Sequence, residues 1–196
     1  MKKITVMLAI IMTAGAYVGN AQIQRGNVMV GGDIADFDLG FGDNSTFTMD
    51  INPKAAWFIK DNTAVGAYVR LGLQTATGNG TQVGYGVGAL ARQYVNGNAL
   101  SVLRHTRLFF EGNVGIEGEN ASKSSTNKST NGLGLGIGPG LAYFITPNIG
   151  LEGLLKYNGI YGFGSEGAQN GLNLNIGFQI YLPGRTTVNN TKRDVQ

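Results

Sequence analysis

No cysteine occurs in the chain, which excludes disulfide frameworks, thiolate-ligated zinc and thiol catalysis together. A single histidine, His105, leaves no multi-histidine metal site. Charged residues make up only 14% of the chain, and no Arg/Lys-rich stripe offers the basic face that phosphate neutralisation needs, so nucleic acid is not an expected partner. Long apolar runs are also missing. The longest, Ile4 to Ala16, falls short of the roughly 18 to 20 residues of a spanning helix.

That short run has a different meaning. Lys2 and Lys3 precede it as a basic segment, and Gly19-Asn20-Ala21 follows it as a small-residue cleavage site, the three-part pattern of a secretory signal. The pattern predicts a signal peptide over 1–21 and an exported body over 22–182, followed by a polar, disordered tail over 183–196. Removing Lys2 and Lys3 takes the 15 lysines and arginines to 13 against 12 acids, a balance of +1. The whole-chain pI of about 9.2 therefore overstates how basic the exported body is.

What the chain has in quantity is glycine, 32 residues that alternate with apolar side chains instead of clustering, as at strand positions where room is scarce. One stretch also occurs twice. Pro53 to Ala67 returns as Pro139 to Gly153, displaced by 86 positions, with Ala56/Ala142, Phe58/Phe144, Ile59/Ile145 and Asn62/Asn148 identical. Each copy reads as strand, tight turn, strand, because Lys60-Asp61-Asn62 and Thr146-Pro147-Asn148 are turn-forming triplets.

Period-2 alternation accounts for most of the rest. It predicts strands starting near Val28, Phe47, Val65, Val83, Leu108, Leu133, Ile149 and Leu172. The first slips phase near Ala35 to Phe37, where a bulge fits. Gly40 to Ser45 reads as a short turn. Loops are predicted over Thr75 to Thr81, Glu119 to Gly132 (the longest) and Asn158 to Gly171, with an ambiguous connection from Val95 to Thr106. The expected fold is all-β: an eight-stranded antiparallel up-and-down barrel.

Alternation alone does not say which face is outside; volume does. The apolar faces of these strands hold roughly three dozen bulky side chains, and an eight-stranded barrel is only just wide enough inside for side chains to fill it. They must coat the exterior, towards lipid, and the barrel is transmembrane. The opposite face carries glycine, amides and charges that nearly balance. Asp33, Asp50, Glu111, Glu117 and Glu152 stand against Lys54, Arg70, Arg92 and Lys156, a candidate lumen ion-pair network, since unpaired buried charge is costly. Trp57 and Tyr143 at one end of their strands, and Phe47 and Tyr157 at the other, fit interfacial girdles.

Bacterial barrels have short periplasmic turns and longer outer loops. On that rule the turns at Lys60 and Thr146 are periplasmic, and the loops at Gly40, Thr75, Glu119 and Asn158 face outwards. The connection at Val95 to Thr106 breaks the rule by being long on the periplasmic side.

The hairpin Pro53-x-x-Ala56-Trp57-Phe58-Ile59-x-Asp61-Asn62, the strand Gly86-Val87-Gly88-x-x-Ala91-Arg92-x-Tyr94 and the strand Phe110-Glu111-Gly112-x-x-Gly115 resemble the small outer-membrane β-barrel domain proteins of Gram-negative bacteria, the OmpA/OmpX-like group. The resemblance covers nearly the whole exported body and implies a location, the cell outer membrane, more than an activity. It implies outer-membrane lipid and the barrel-assembly machinery as partners. Members usually close the last strand on an aromatic used for assembly, whereas here Phe178, Ile180 and Tyr181 are followed by a polar tail ending at Gln196.

No catalytic constellation or cofactor motif accompanies this barrel, so no cofactor and no enzymatic activity are expected. Gly134-x-Gly136-x-Gly138 has no helix after it and strict period 2, which fits glycine facing a lumen and not a phosphate loop. His105, with Arg104 and Arg107 nearby, falls in a turn with no nucleophile or acid adjacent to it. Three functions stay open at this point. They are a structural or surface-interaction protein binding a ligand or protein through its loops, a small pore or conduit for small or hydrophobic solutes, and a lipid-modifying enzyme with His105 as its base.

Overall fold

A computed structural model describes residues 23–39, 46–76, 80–95, 105–123, 126–162 and 169–184. The expected signal peptide, the expected Gly40 to Ser45 turn and all but the first two residues of the expected tail lie outside them. Eight strands follow one another: β1 (Val28–Leu39), β2 (Thr46–Lys60), β3 (Thr63–Ala76), β4 (Gly80–Tyr94), β5 (Thr106–Lys123), β6 (Thr126–Thr146), β7 (Ile149–Gly162) and β8 (Gln169–Leu182). Each pairs antiparallel with its neighbour, and β1 closes on β8 from Val28↔Leu182 to Ala35↔Asn175. Closure leaves no sheet edge, so the backbone groups of the spanning strands are paired within the barrel, the condition for a strand to lie in hydrocarbon.

The predicted phase slip in β1 is a register shift between Ala35 and Asp38 against β2. The internal repeat survives into three dimensions. Both copies shift register just before their turn, between Phe58 and Lys60 and between Phe144 and Thr146. In the first copy Phe58 N donates to Asn27 O and Tyr94 N donates to Asn62 O; in the second Phe144 N donates to His105 O and Tyr181 N to Asn148 O. Repeated residues thus build the same bulged corner on opposite sides of one end of the barrel. Asn62 takes φ 65°, a left-handed conformation that asparagine tolerates.

Three loop expectations are corrected. The Thr75 to Thr81 loop shrinks, because β3 runs to Ala76 and β4 begins at Gly80. The predicted longest loop is mostly ladder: Glu119↔Thr130 through Lys123↔Thr126 are paired, making β5 and β6 strands of 18 and 21 residues. Asn158 to Gly162 and Gln169 to Gly171 likewise belong to β7 and β8, where Asn158↔Gly171 pair. The common reason is that a spanning strand needs only about 9 to 11 residues. Beyond the apolar belt the residues are mostly polar or glycine, so the ladder continues with no alternation to reveal it.

The greasy side chains point outwards. Leu71, Leu135 and Ile176 are 49%, 40% and 65% exposed; Trp57 and Tyr143 stand on the same outer surface near the short-turn ends of their strands, whereas Tyr157 is exposed five residues inside the end of β7 and Phe47 is only half-buried, so the second girdle is not at a strand end as expected. Short turns at Asp61-Asn62 and Pro147-Asn148 mark one end, which also holds both ends of the described chain. At this end Ile23 packs beneath the interior, and Asn62 N donates to Ile23 O.

Candidate functional site in the barrel lumen

The inward-facing residues form layers, because every second residue of each strand points to the axis and neighbouring strands hold these residues at matching heights. The layer nearest the short turns is aromatic and apolar. Met29, Phe58, Tyr94, Phe109, Phe144 and Tyr181 are buried there, with the ring of Phe58 6.0 Å from Tyr94 and that of Phe144 5.1 Å from Tyr181. This plug is a correction to a lumen lined by glycine, amides and charges alone. Its sequence signal lies in the inward phase: Phe58, Phe109, Phe144 and Tyr181 alternate with the lipid-facing residues of their own strands.

Arg92 crosses the next layer with a side chain of 0% exposure. Its guanidinium donates to Glu111 Oε2 from Nη2 at 2.6 Å and to Glu152 Oε1 from Nη1 at 2.7 Å, and lies 4.0 Å from the centre of the Phe109 ring. Tyr181 donates its hydroxyl to Glu152 at 2.7 Å, and the Tyr94 and Tyr181 hydroxyls meet at 2.6 Å. Above this, Lys54 pairs with Asp33 and, at 3.1 Å, with Glu111; Lys156 reaches Glu111 at 3.3 Å. Three cations and three carboxylates therefore interlock across five strands and cap the plug. Each ion is buried, so each depends on the others to offset desolvation.

Arg70 and Asp50 sit higher and apart from that cluster. Arg70 Nε donates to Asp50 Oδ2 at 2.8 Å, and its Nη atoms approach Glu117 at 3.5 Å and Glu119 at 3.2 Å. The nine candidate residues thus divide into a closed lower group of six (Asp33, Lys54, Arg92, Glu111, Glu152 and Lys156) and an upper three (Asp50, Arg70 and Glu117). Glu119 reads as loop from its polar surroundings, yet it continues the odd-numbered inward series of β5 after Glu117. Gln82 Nε2 donates to it at 2.9 Å.

Tyr68 links the two groups. It fits because glycines of paired strands face it: a Cβ at Gly88 would come 2.7 Å from its ring, and one at Gly115 2.6 Å from its hydroxyl. That hydroxyl donates to Glu117 at 2.6 Å and accepts from Asn113 Nδ2 at 2.9 Å. Above the plug the lumen widens into a polar cavity of about 250 Å³. His105 is not part of any of this; it is exposed at the opposite end, its ring edge-on to Tyr143 at 6.5 Å. Among the described residues no group of three or more His, Asp or Glu side chains is placed to hold a metal ion.

No protein-family model matches the sequence, and no curated protein matches it. Solved structures do resemble it. The crystal structure of Neisserial surface protein A aligns with a TM-score of 0.56 at 16% identity, over 79% of this chain and 95% of that one. The N-terminal β-barrel domain of Pseudomonas aeruginosa OprF aligns at 0.49 and 15%, over 81% and 98%; the outer membrane protein OprG of the same organism aligns at 0.48 and 12%, over 83% and 98%. At such low identity the likeness to the Neisserial protein concerns the fold. The chain shares that fold, a closed eight-stranded antiparallel barrel, with ion pairs across its lumen.

Proposed function

We propose that the protein is an integral barrel of a Gram-negative outer membrane, delivered there after signal cleavage, whose work is structural or interactive at the surface instead of conductive or catalytic. The single observation that carries this reading is the sealed lumen. Arg92, Glu111 and Glu152 interlock above a layer of packed aromatic rings, and no side chain in that layer is more than 8% exposed. A water-filled path would have to break several desolvated ion pairs at once, each costly to part. What the chain offers to the outside is instead the long β5–β6 hairpin, which extends past the lipid belt with Ser, Thr, Asn and Lys along it.

Two measurements test it. Purified protein in a planar bilayer should show no discrete conductance steps; regular steps would favour the pore reading. Shortening the β5–β6 hairpin by removing 121–128 should leave a heat-modifiable, folded barrel while changing what intact cells bind. Failure of the shortened chain to fold would make the hairpin part of the scaffold.

A further inference from the structure

β1 and β8 are the strands furthest apart in the chain, and their junction is the one that closes the barrel. It is also the shortest ladder. β1 and β8 pair only from Val28↔Leu182 to Ala35↔Asn175, whereas β4 and β5 pair from Thr81↔Ser122 to Tyr94↔Phe109. Gly31, Gly32 and Gly177 lie within those few rungs, and glycine inside a strand weakens it. Above Ala35 the two strands part. β1 continues along β2, with its register shift between Ala35 and Asp38, and β8 continues along β7 as far as Ile160↔Gln169. Among the described residues neither is paired with the other there.

The opposite end of the same seam is held by different means. Ile23 to Asn27, the residues before β1, grip both of its neighbours. On the β2 side Gly26 N donates to Phe58 O at 2.8 Å, Arg25 N to Asp61 Oδ1 at 2.8 Å, and Asn62 N to Ile23 O at 2.8 Å. On the β8 side Gly184 N donates to the Asn27 side chain, at Oδ1, at 3.1 Å. Asn27 is 2% exposed, and its backbone oxygen accepts from Phe58 N at 2.9 Å, so one buried residue ties the bases of β2 and β8 across β1. Gly184 belongs to this contact by shape as well, because a Cβ there would run into Gly26 O. Gly26 itself takes φ 90°, a conformation that glycine adopts without a steric penalty.

We propose that Ile23 to Asn27 form a latch that holds the closing seam shut at the short-turn end, so that the wall opens, when it opens, between β1 and β8 and from the far end. Unzipping from the base would have to release both neighbours of β1 together, whereas the far end has only the last rungs of a short ladder to break. The latch governs how the wall opens and does not depend on the surface role proposed above.

The test is amide hydrogen exchange of the whole exported chain, ¹⁵N-labelled, folded in detergent micelles and followed residue by residue by NMR. In the unsubstituted protein the amides paired across the seam near Ala35 and Asn175 should exchange faster than those near Val28 and Leu182, and faster than the rungs between β4 and β5. Asn27→Ala should speed exchange at the Val28 and Leu182 end about tenfold, the effect of losing one buried hydrogen bond, and leave the β4–β5 rungs unchanged. Gly184→Ala should do the same by collision, and the double variant should add little to either, since both changes remove one contact. A heat-modifiability gel checks that each variant folds; should neither fold, the gradient along the unsubstituted seam decides alone. Seam amides protected equally at both ends and as well as the β4–β5 rungs would overturn the proposal. So would a uniform rise in exchange throughout the barrel in the variants, or no change at the base of the seam in either of them.

Discussion

Arg92 and Glu152 stand 60 residues apart in the chain and meet at 2.7 Å inside the barrel, with the Tyr181 hydroxyl donating to the same carboxylate at 2.7 Å. β4 and β7 are not neighbours in the sheet, so this contact spans the lumen and exists only once the cylinder has closed. It ties the charge network to the aromatic plug, since Tyr181 belongs to both.

Removing the arginine should expose what the network costs. Arg92→Met leaves Glu152 buried with only a tyrosine donor and deprives Glu111 of one of three cations, and breaking such a pair costs about 3–5 kcal/mol. Urea unfolding in detergent micelles should show that loss. The double variant Arg92→Met with Glu152→Gln should recover much of it, because no carboxylate at that position is then stranded.

Depth in the membrane sets the penalty on the outer face. Leu172 and Ile176 share a strand and are each 65% exposed, but Ile176 is near mid-belt and Leu172 near the outer rim. Ile176→Lys should destabilise by about 2–4 kcal/mol and Leu172→Lys by about 0–1 kcal/mol, measured by unfolding in lipid vesicles. Equal costs would mean that this face does not meet lipid.

Gly140 faces Phe109 across the β5–β6 pair, and a Cβ there would collide with the ring. Gly140→Ala should therefore cost about 1–3 kcal/mol through overpacking of the plug. Since the obstacle is a side chain and not backbone, adding Phe109→Leu should restore part of that loss. Additive losses in the double variant would show that the two residues do not share the space.

The repeated corner makes a prediction about Asn62. Its φ of 65° costs most residues about 1–2 kcal/mol, while glycine takes it freely. Asn62→Gly should fold with near-native stability and Asn62→Val should lose about that amount, read as a lower temperature for the gel-shift transition.

Strand phase was legible along the chain because lipid and lumen impose opposite demands on alternate residues. Leu133, Leu135 and Ile137 set against Gly134, Gly136 and Gly138 give β6 both of its faces without any partner in view. The same logic explains where legibility ended. Beyond the apolar belt, Glu119 to Lys123 and Thr126 to Gly132 are paired by their backbones, but their sequence is polar at almost every position and shows no alternation, so a strand reads as a loop.

Residue order alone determined that the chain alternates, that one hairpin is used twice, that apolar volume exceeds what a cylinder of this size can contain, and which acids and bases, Glu119 excepted, share the inner face. Which of them meet was decided only by tertiary structure. Strand register and closure place Arg92 between Glu111 and Glu152, assign Arg70 to Asp50, Glu117 and Glu119, and stack Phe58, Tyr94, Phe109, Phe144 and Tyr181 into a plug. The physical reason is that alternation is a local property of each strand, whereas contacts across a lumen depend on how eight registers add up around the ring.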